Sequence, residues 1–119
     1  MYGLPSPHDQ MVRGLACELN RRGFCVVADH LPEFHQRPPS ISGYIPDLVA
    51  YCGSNAQIIA EAETEDGMQV QHTYDQWRAF STCGCHFHVI VPAGCVPYAQ
   101  SQAYVHGIRV DFWWQMPVT

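Results

Sequence analysis

Two apolar runs that carry acids constrain this chain most: Tyr44-Ile45-Pro46-Asp47-Leu48-Val49-Ala50-Tyr51 and Gln57-Ile58-Ile59-Ala60-Glu61-Ala62-Glu63, separated by Cys52-Gly53-Ser54-Asn55-Ala56. The Gly-Ser-Asn centre of the separator is turn chemistry, so the runs are predicted to form an antiparallel hairpin. Side chains alternate along a strand, which puts Asp47 on a face with Ile45 and Val49, and Glu61 on a face with Glu63. With Gly53-Ser54-Asn55 as the turn, the register sets Asp47 directly opposite Glu61. Opposed Cβ atoms stand roughly 4.5–5.5 Å apart, and like charges there destabilise a sheet. A proton, a basic partner or a metal ion must offset that repulsion. The chain has only six basic residues, all arginine, against 11 acids, and a metal ion is the expectation.

The rest of the composition sets the frame. At 119 residues, 47% hydrophobic and 14% charged, the sequence reads as a single folded domain, 1–119, with a core that needs no staples. No apolar run approaches the roughly 18 residues of a membrane span, and the N-terminus lacks a signal-peptide pattern, so a soluble, cytoplasmic protein with no membrane association is expected. Of the six cysteines, Cys25 and Cys52 fall in strand-like runs and Cys17 in a helical one, where free thiols pack as small hydrophobes. A formal charge of −5 argues against a broad basic face and leaves room for a local one.

Along the chain, Met11, Val12, Leu15, Ala16 and Leu19 recur at helical spacing and predict a helix over 8–22, stopped by Gly23. Phe24 to Asp29 reads as a short buried strand, and Leu31 to Gly43, with three prolines, as a loop that cannot join a central ladder. After the hairpin a second helix is predicted over 68–80, a strand over 85–91, a third helix over 96–106 and a last strand over 108–113. Strands joined by helical crossovers imply an α/β protein with a mixed central sheet flanked by helices.

This order, with Pro46-Asp47 on one strand and Glu61-x-Glu63 on the next between two helices, resembles the PD-(D/E)XK nuclease superfamily. The resemblance covers nearly the whole chain as an order of elements, and Pro46-Asp47 with Glu61-x-Glu63 as a motif. It implies a restriction-endonuclease-like αβββαβ core, here with a further helix and strand, and an endonuclease that hydrolyses DNA phosphodiester bonds with Mg²⁺ (or Mn²⁺). Asp47 and Glu61 would ligate the ion, hard oxygen donors being what Mg²⁺ takes. The backbone carbonyl of Ala62 would be a further ligand, and Glu18 matches the acid that many members place on the first helix near the metal. Gln76 stands where several members carry Gln-x-x-x-Tyr, with Phe80 here in place of the tyrosine.

Glu63 occupies the superfamily's lysine position. A glutamate can orient or deprotonate the attacking water but brings no positive charge; His72 or Arg78, on the second helix, are candidates to supply it. Arg37, in the proline-rich loop, and Arg78 are expected to hold phosphates. The alternative is a catalytically inactive nuclease-fold module for binding or assembly, in keeping with the net acidity and the absence of lysine.

Cys83-Gly84-Cys85-His86-Phe87-His88 has soft-metal ligands, but strand alternation places His86 and His88 on one face and Cys85 with Phe87 on the other, and zinc usually takes wider pairs. Core cysteines and solvent histidines are the expectation. Trp113-Trp114 suits core packing or the interface of a homodimer.

Overall fold

A computed structural model describes residues 5–34 and 36–119. The first helix, α1 (Pro7–Arg21), starts on Ser6, whose hydroxyl accepts the Asp9 N–H at 3.1 Å, and Pro7 takes the first turn, where its missing N–H costs nothing. The predicted stripe of Met11, Val12, Leu15, Ala16 and Leu19 is buried throughout. Gly23, at φ +100°, turns the chain out of the helix and into β1 (Cys25–Ala28).

The hairpin follows as β2 (Leu48–Cys52) and β3 (Asn55–Ala62), then a 3₁₀ turn over Gly67–Gln69, α2 (Gln71–Ser81), β4 (His86–Pro92), α3 (Val96–Val105) and β5 (Phe112–Met116). The five strands form one sheet in the order β1-β2-β3-β4-β5, with β2 antiparallel to both neighbours and β3, β4 and β5 parallel. This is the expected mixed α/β class. The α1 stripe packs on one face against Leu48, Ala50, Ile58, Ala60, Ala62 and Ile90. On the other face Tyr74, Trp77 and Phe80 of α2, with Ala99 and Ala103 of α3, cover Val49, Ile59, Phe87, Val89 and Val91. Among the described residues no helix is long and apolar enough to cross a membrane.

Three predicted elements shift. The first hairpin arm joins the ladder only at Leu48; Tyr44 instead bridges Ile41 across Ser42 (φ +51°) and Gly43 (φ +85°), and Pro46 has no N–H for a ladder. Met68 lies in the 3₁₀ turn, ahead of α2. The last strand starts at Phe112 because Ile108 is spent closing α3: its N–H bonds the Ala103 carbonyl at 2.9 Å after Gly107 turns at φ +67°.

The hairpin keeps its expected register by a different route. Cys52 pairs with Asn55 around a two-residue turn with Gly53 at φ +63°, one residue shorter than predicted. Gln57 then stands unpaired between Tyr51↔Ala56 and Ala50↔Ile58, a bulge that restores the missing residue. From Ala50↔Ile58 to Leu48↔Ala60 the pairing is the one that sets Asp47 across from Glu61.

Trp113 and Trp114 part to opposite faces, as neighbours on a strand must. Trp113 meets Trp77 edge-on at 6.0 Å, whereas Trp114 lies under Arg22 and donates its indole N–H to His88 Nδ1 at 3.0 Å. Both serve the packing of this chain.

Candidate active site

β1, β3, β4 and β5 run the same way, so their C-terminal ends meet the start of β2 at one end of the sheet, the end where open α/β sheets build their sites. Asp47 and Glu61 face each other there. Glu61 is 4% exposed, and its Oε2 accepts the Asp47 N–H at 2.7 Å. In return the Ala62 N–H donates to Asp47 Oδ2 at 2.9 Å. Each carboxylate thus ties down the main chain of the opposite strand beyond the last ladder pair.

The electrostatic tension expected from the sequence is present. Burial first, and the Asp47 charge second, hold the Glu61 carboxyl well above the usual carboxylate range. Glu63 is pushed up to about 7 by the same two causes. A basic partner also appears, and it was not legible in the sequence: His8, in the first turn of α1, places Nε2 3.1 Å from Asp47 Oδ2. Its hydrogen bond to Asp47, the largest cause, raises His8 to about 9.

Glu63 is shaped by a glycine. The Glu63 N–H reaches across to the Ile90 carbonyl at 3.0 Å, and its carboxyl lies where a Cβ on Gly67 would stand. Gly67 is pinned in turn by its N–H to Thr64 Oγ1 at 3.2 Å and its carbonyl to Thr73 Oγ1 at 2.7 Å.

Because Glu63 bonds towards β4, the Ala62 main-chain groups point the other way, towards β2. Continuing the register sets Pro46 opposite Ala62, and proline has no N–H to give. The Ala62 carbonyl is therefore left without a ladder donor beside the two carboxylates.

Among the described residues no three His, Cys, Asp or Glu side chains converge as a ready-made cation site. The donor chemistry nonetheless fits Mg²⁺, which is held through one or two carboxylates with waters rather than in an all-protein cage. Asp47, Glu61 and the Ala62 carbonyl are the groups that would hold it.

The other expected residues make no hydrogen bond to these carboxylates among the described residues. Glu18 is not at this end of the sheet: it is held by Arg21 at 2.6 Å and Arg22 at 3.0 Å, ten residues or about 15 Å along α1 from His8. Arg78 bonds the His106 carbonyl at 2.8 Å and ties α2 to the end of α3, so its guanidinium is committed away from the carboxylates. Gln76 has its amide 3.5 Å from His72 Nε2, and His72 packs beside the Tyr44 ring at 5.6 Å; neither makes a hydrogen bond to Asp47, Glu61 or Glu63. Arg37 is bound to Asp29, a residue the sequence did not single out. Cys83 and Cys85 pack with the α2 face, while the His86 and His88 rings lie together 6.1 Å apart, so these donors are split. Burial pushes His88 down to about 4.

No protein family, curated protein or solved structure matches the chain.

Proposed function

We propose that the chain is a metal-dependent nuclease of the PD-(D/E)XK kind, hydrolysing DNA phosphodiester bonds at the Asp47–Glu61 end of the sheet. The observation that carries this reading is the pair of opposed carboxylates, each accepting a main-chain N–H of the other strand, next to the Ala62 carbonyl that faces Pro46. The element order, and Pro46-Asp47 and Glu61-x-Glu63 on adjacent strands, support it as well. Asp47, Glu61 and the Ala62 carbonyl would hold Mg²⁺ or Mn²⁺, which supplies an activated water and neutralises charge on the phosphate. Glu63, raised to about 7, would take a proton from that water near neutral pH. His8 brings a positive charge to the side of Asp47, the charge that the Glu63 position lacks.

The test is nicking of supercoiled plasmid by purified protein with Mg²⁺ or Mn²⁺. Wild type is expected to cut and Asp47→Ala to be inert. Equal inertness of both on DNA and RNA would sink the enzyme reading. Gly67→Ala is a finer probe: the added methyl displaces the Glu63 carboxyl without touching Asp47 or Glu61. A drop of about 10²-fold in cutting rate is expected, the usual cost of a catalytic group misplaced by about an ångström. A circular dichroism melt close to that of wild type would show that the fold is kept.

The same contacts favour a second reading, an inactive nuclease-fold binding module in which each carboxylate serves only the main-chain N–H it accepts. That reading predicts no change in melting temperature on adding divalent cation, whereas a specific site raises it.

A further inference from the structure

The sheet register brings a third acid into line with Asp47 and Glu61. β1 pairs with β2 as Ala28↔Leu48, so Asp29 falls beside Asp47, and its N–H donates to the Asp47 carbonyl at 3.0 Å. The Asp29 side chain is 9% exposed and holds two residues at the surface: Arg37 Nε donates to Oδ1 at 3.0 Å, and His30 Nε2 lies 3.1 Å from Oδ2. A carboxylate so nearly buried needs such partners, and here they are aimed by it.

Arg37 is engaged through Nε alone among the described residues, and its side chain is 63% exposed. A guanidinium held that way presents both terminal nitrogens outward as a planar fork, the geometry that matches a phosphate. His30 sits at φ +62°, a left-handed conformation that non-glycine residues seldom adopt and that clusters at functional sites. Both residues line one open cleft of ≈ 370 Å³, together with Ala28, Leu31, Pro32 and Phe34 among the described residues. Polar donors on one side and an aromatic and aliphatic wall on the other suit a nucleotide unit, phosphate on the guanidinium and base or sugar against the ring.

We propose that this cleft docks a phosphate of the nucleic-acid strand next to the carboxylate end of the sheet, with Asp29 as the positioning residue that aims Arg37 and His30. The inference rests on the nuclease reading for the identity of the strand. It concerns groups outside the proposed metal ligands, so it can fail by itself.

Fluorescence anisotropy of a dye-labelled DNA duplex, titrated in EDTA at several KCl concentrations, tests it without cleavage. Wild type is expected to bind with a shallow but measurable salt dependence, as few phosphate contacts give. Arg37→Ala should weaken binding about ten-fold and lower the slope of log K against log salt by about one, the loss of a single phosphate contact. Arg37→Lys should restore the slope but not the full affinity, because the charge returns without the fork. Asp29→Asn should weaken binding and leave the slope near that of wild type, since the guanidinium keeps its charge and loses its aim. Equal affinity and slope in wild type and Arg37→Ala overturns the proposal, as does a wild type that fails to bind. If Arg37→Ala binds normally while Asp47→Ala abolishes plasmid nicking, the cleft is discarded and the nuclease stands. If Arg37→Ala behaves as expected and no variant differs in nicking, the cleft stands and the nuclease is discarded.

Discussion

Glu61→Gln is expected to abolish Mn²⁺-dependent nicking and, in the absence of metal, to make the protein more heat-resistant. The two effects share a cause. Glu61 is buried opposite Asp47, and its charge is opposed by desolvation and by that neighbour. Glutamine keeps the shape, and its oxygen can still accept the Asp47 N–H that Glu61 takes at 2.7 Å. What it loses is the charge, which is the part a divalent ion needs. At about pH 8 a gain of about 4 °C is expected, the equivalent of about 1 kcal/mol in a domain of this size. Thermal melts without metal, run beside the plasmid assay, check both halves. A variant that melts lower and cuts normally would mean that Glu61 is a structural carboxylate only.

The second large effect is a stability that falls as pH rises, and that divalent cation reverses. Glu61, Glu63 and His8 all hold protons more tightly folded than unfolded. For such groups the contribution is complete below the unfolded pKa and disappears as pH climbs through the folded one. Moving the Glu63 carboxyl from 4.5 to about 7 corresponds to about 3 kcal/mol, lost across that interval. The Glu61 contribution is lost in the same direction as pH rises, and that of His8 between 6.5 and about 9. Asp47 faces all three groups, Glu63 also faces Glu61, His8 faces Glu63 and lowers it, and Asp9 lies beside His8 at 3.3 Å. A divalent ion competes with the same protons. Mn²⁺ is therefore expected to leave the melting temperature unchanged near about pH 5 and raise it by several degrees near about pH 8. Asp47→Asn should erase that increment. Melts across the range, with and without Mn²⁺, read the whole pattern; a cation effect that is equal at all pH values would count against a carboxylate site.

How far the sequence carries depends on which interactions are local. The opposition of Asp47 and Glu61 follows from alternation and a short turn, and both are written in consecutive residues. Even there the right register came from two departures that cancel, a shorter turn and the Gln57 bulge. The α1 stripe was legible because burial repeats with the helical period. That period says which side of α1 meets the sheet but not which end lies over the carboxylates, so Glu18 was expected where His8 stands. Asp29 is not legible as a neighbour of Asp47, because its place depends on how β1 aligns with β2 across a long proline-containing connection. Nothing local in α2 separates Arg78 from a phosphate-binding arginine; the distant His106 carbonyl that takes its hydrogen bond does.

The Gln57 bulge makes the two ends of the hairpin independent of each other. The strands count residues modulo the bulge: the same acid alignment results from a two-residue turn with an odd residue looped out, or from a three-residue turn with none. Length changes at the Gly53 end can thus be absorbed before they reach Asp47, six residues away or about 20 Å by strand spacing. The hairpin behaves as a slip joint, tolerant at its exposed tip and fixed where its acids meet.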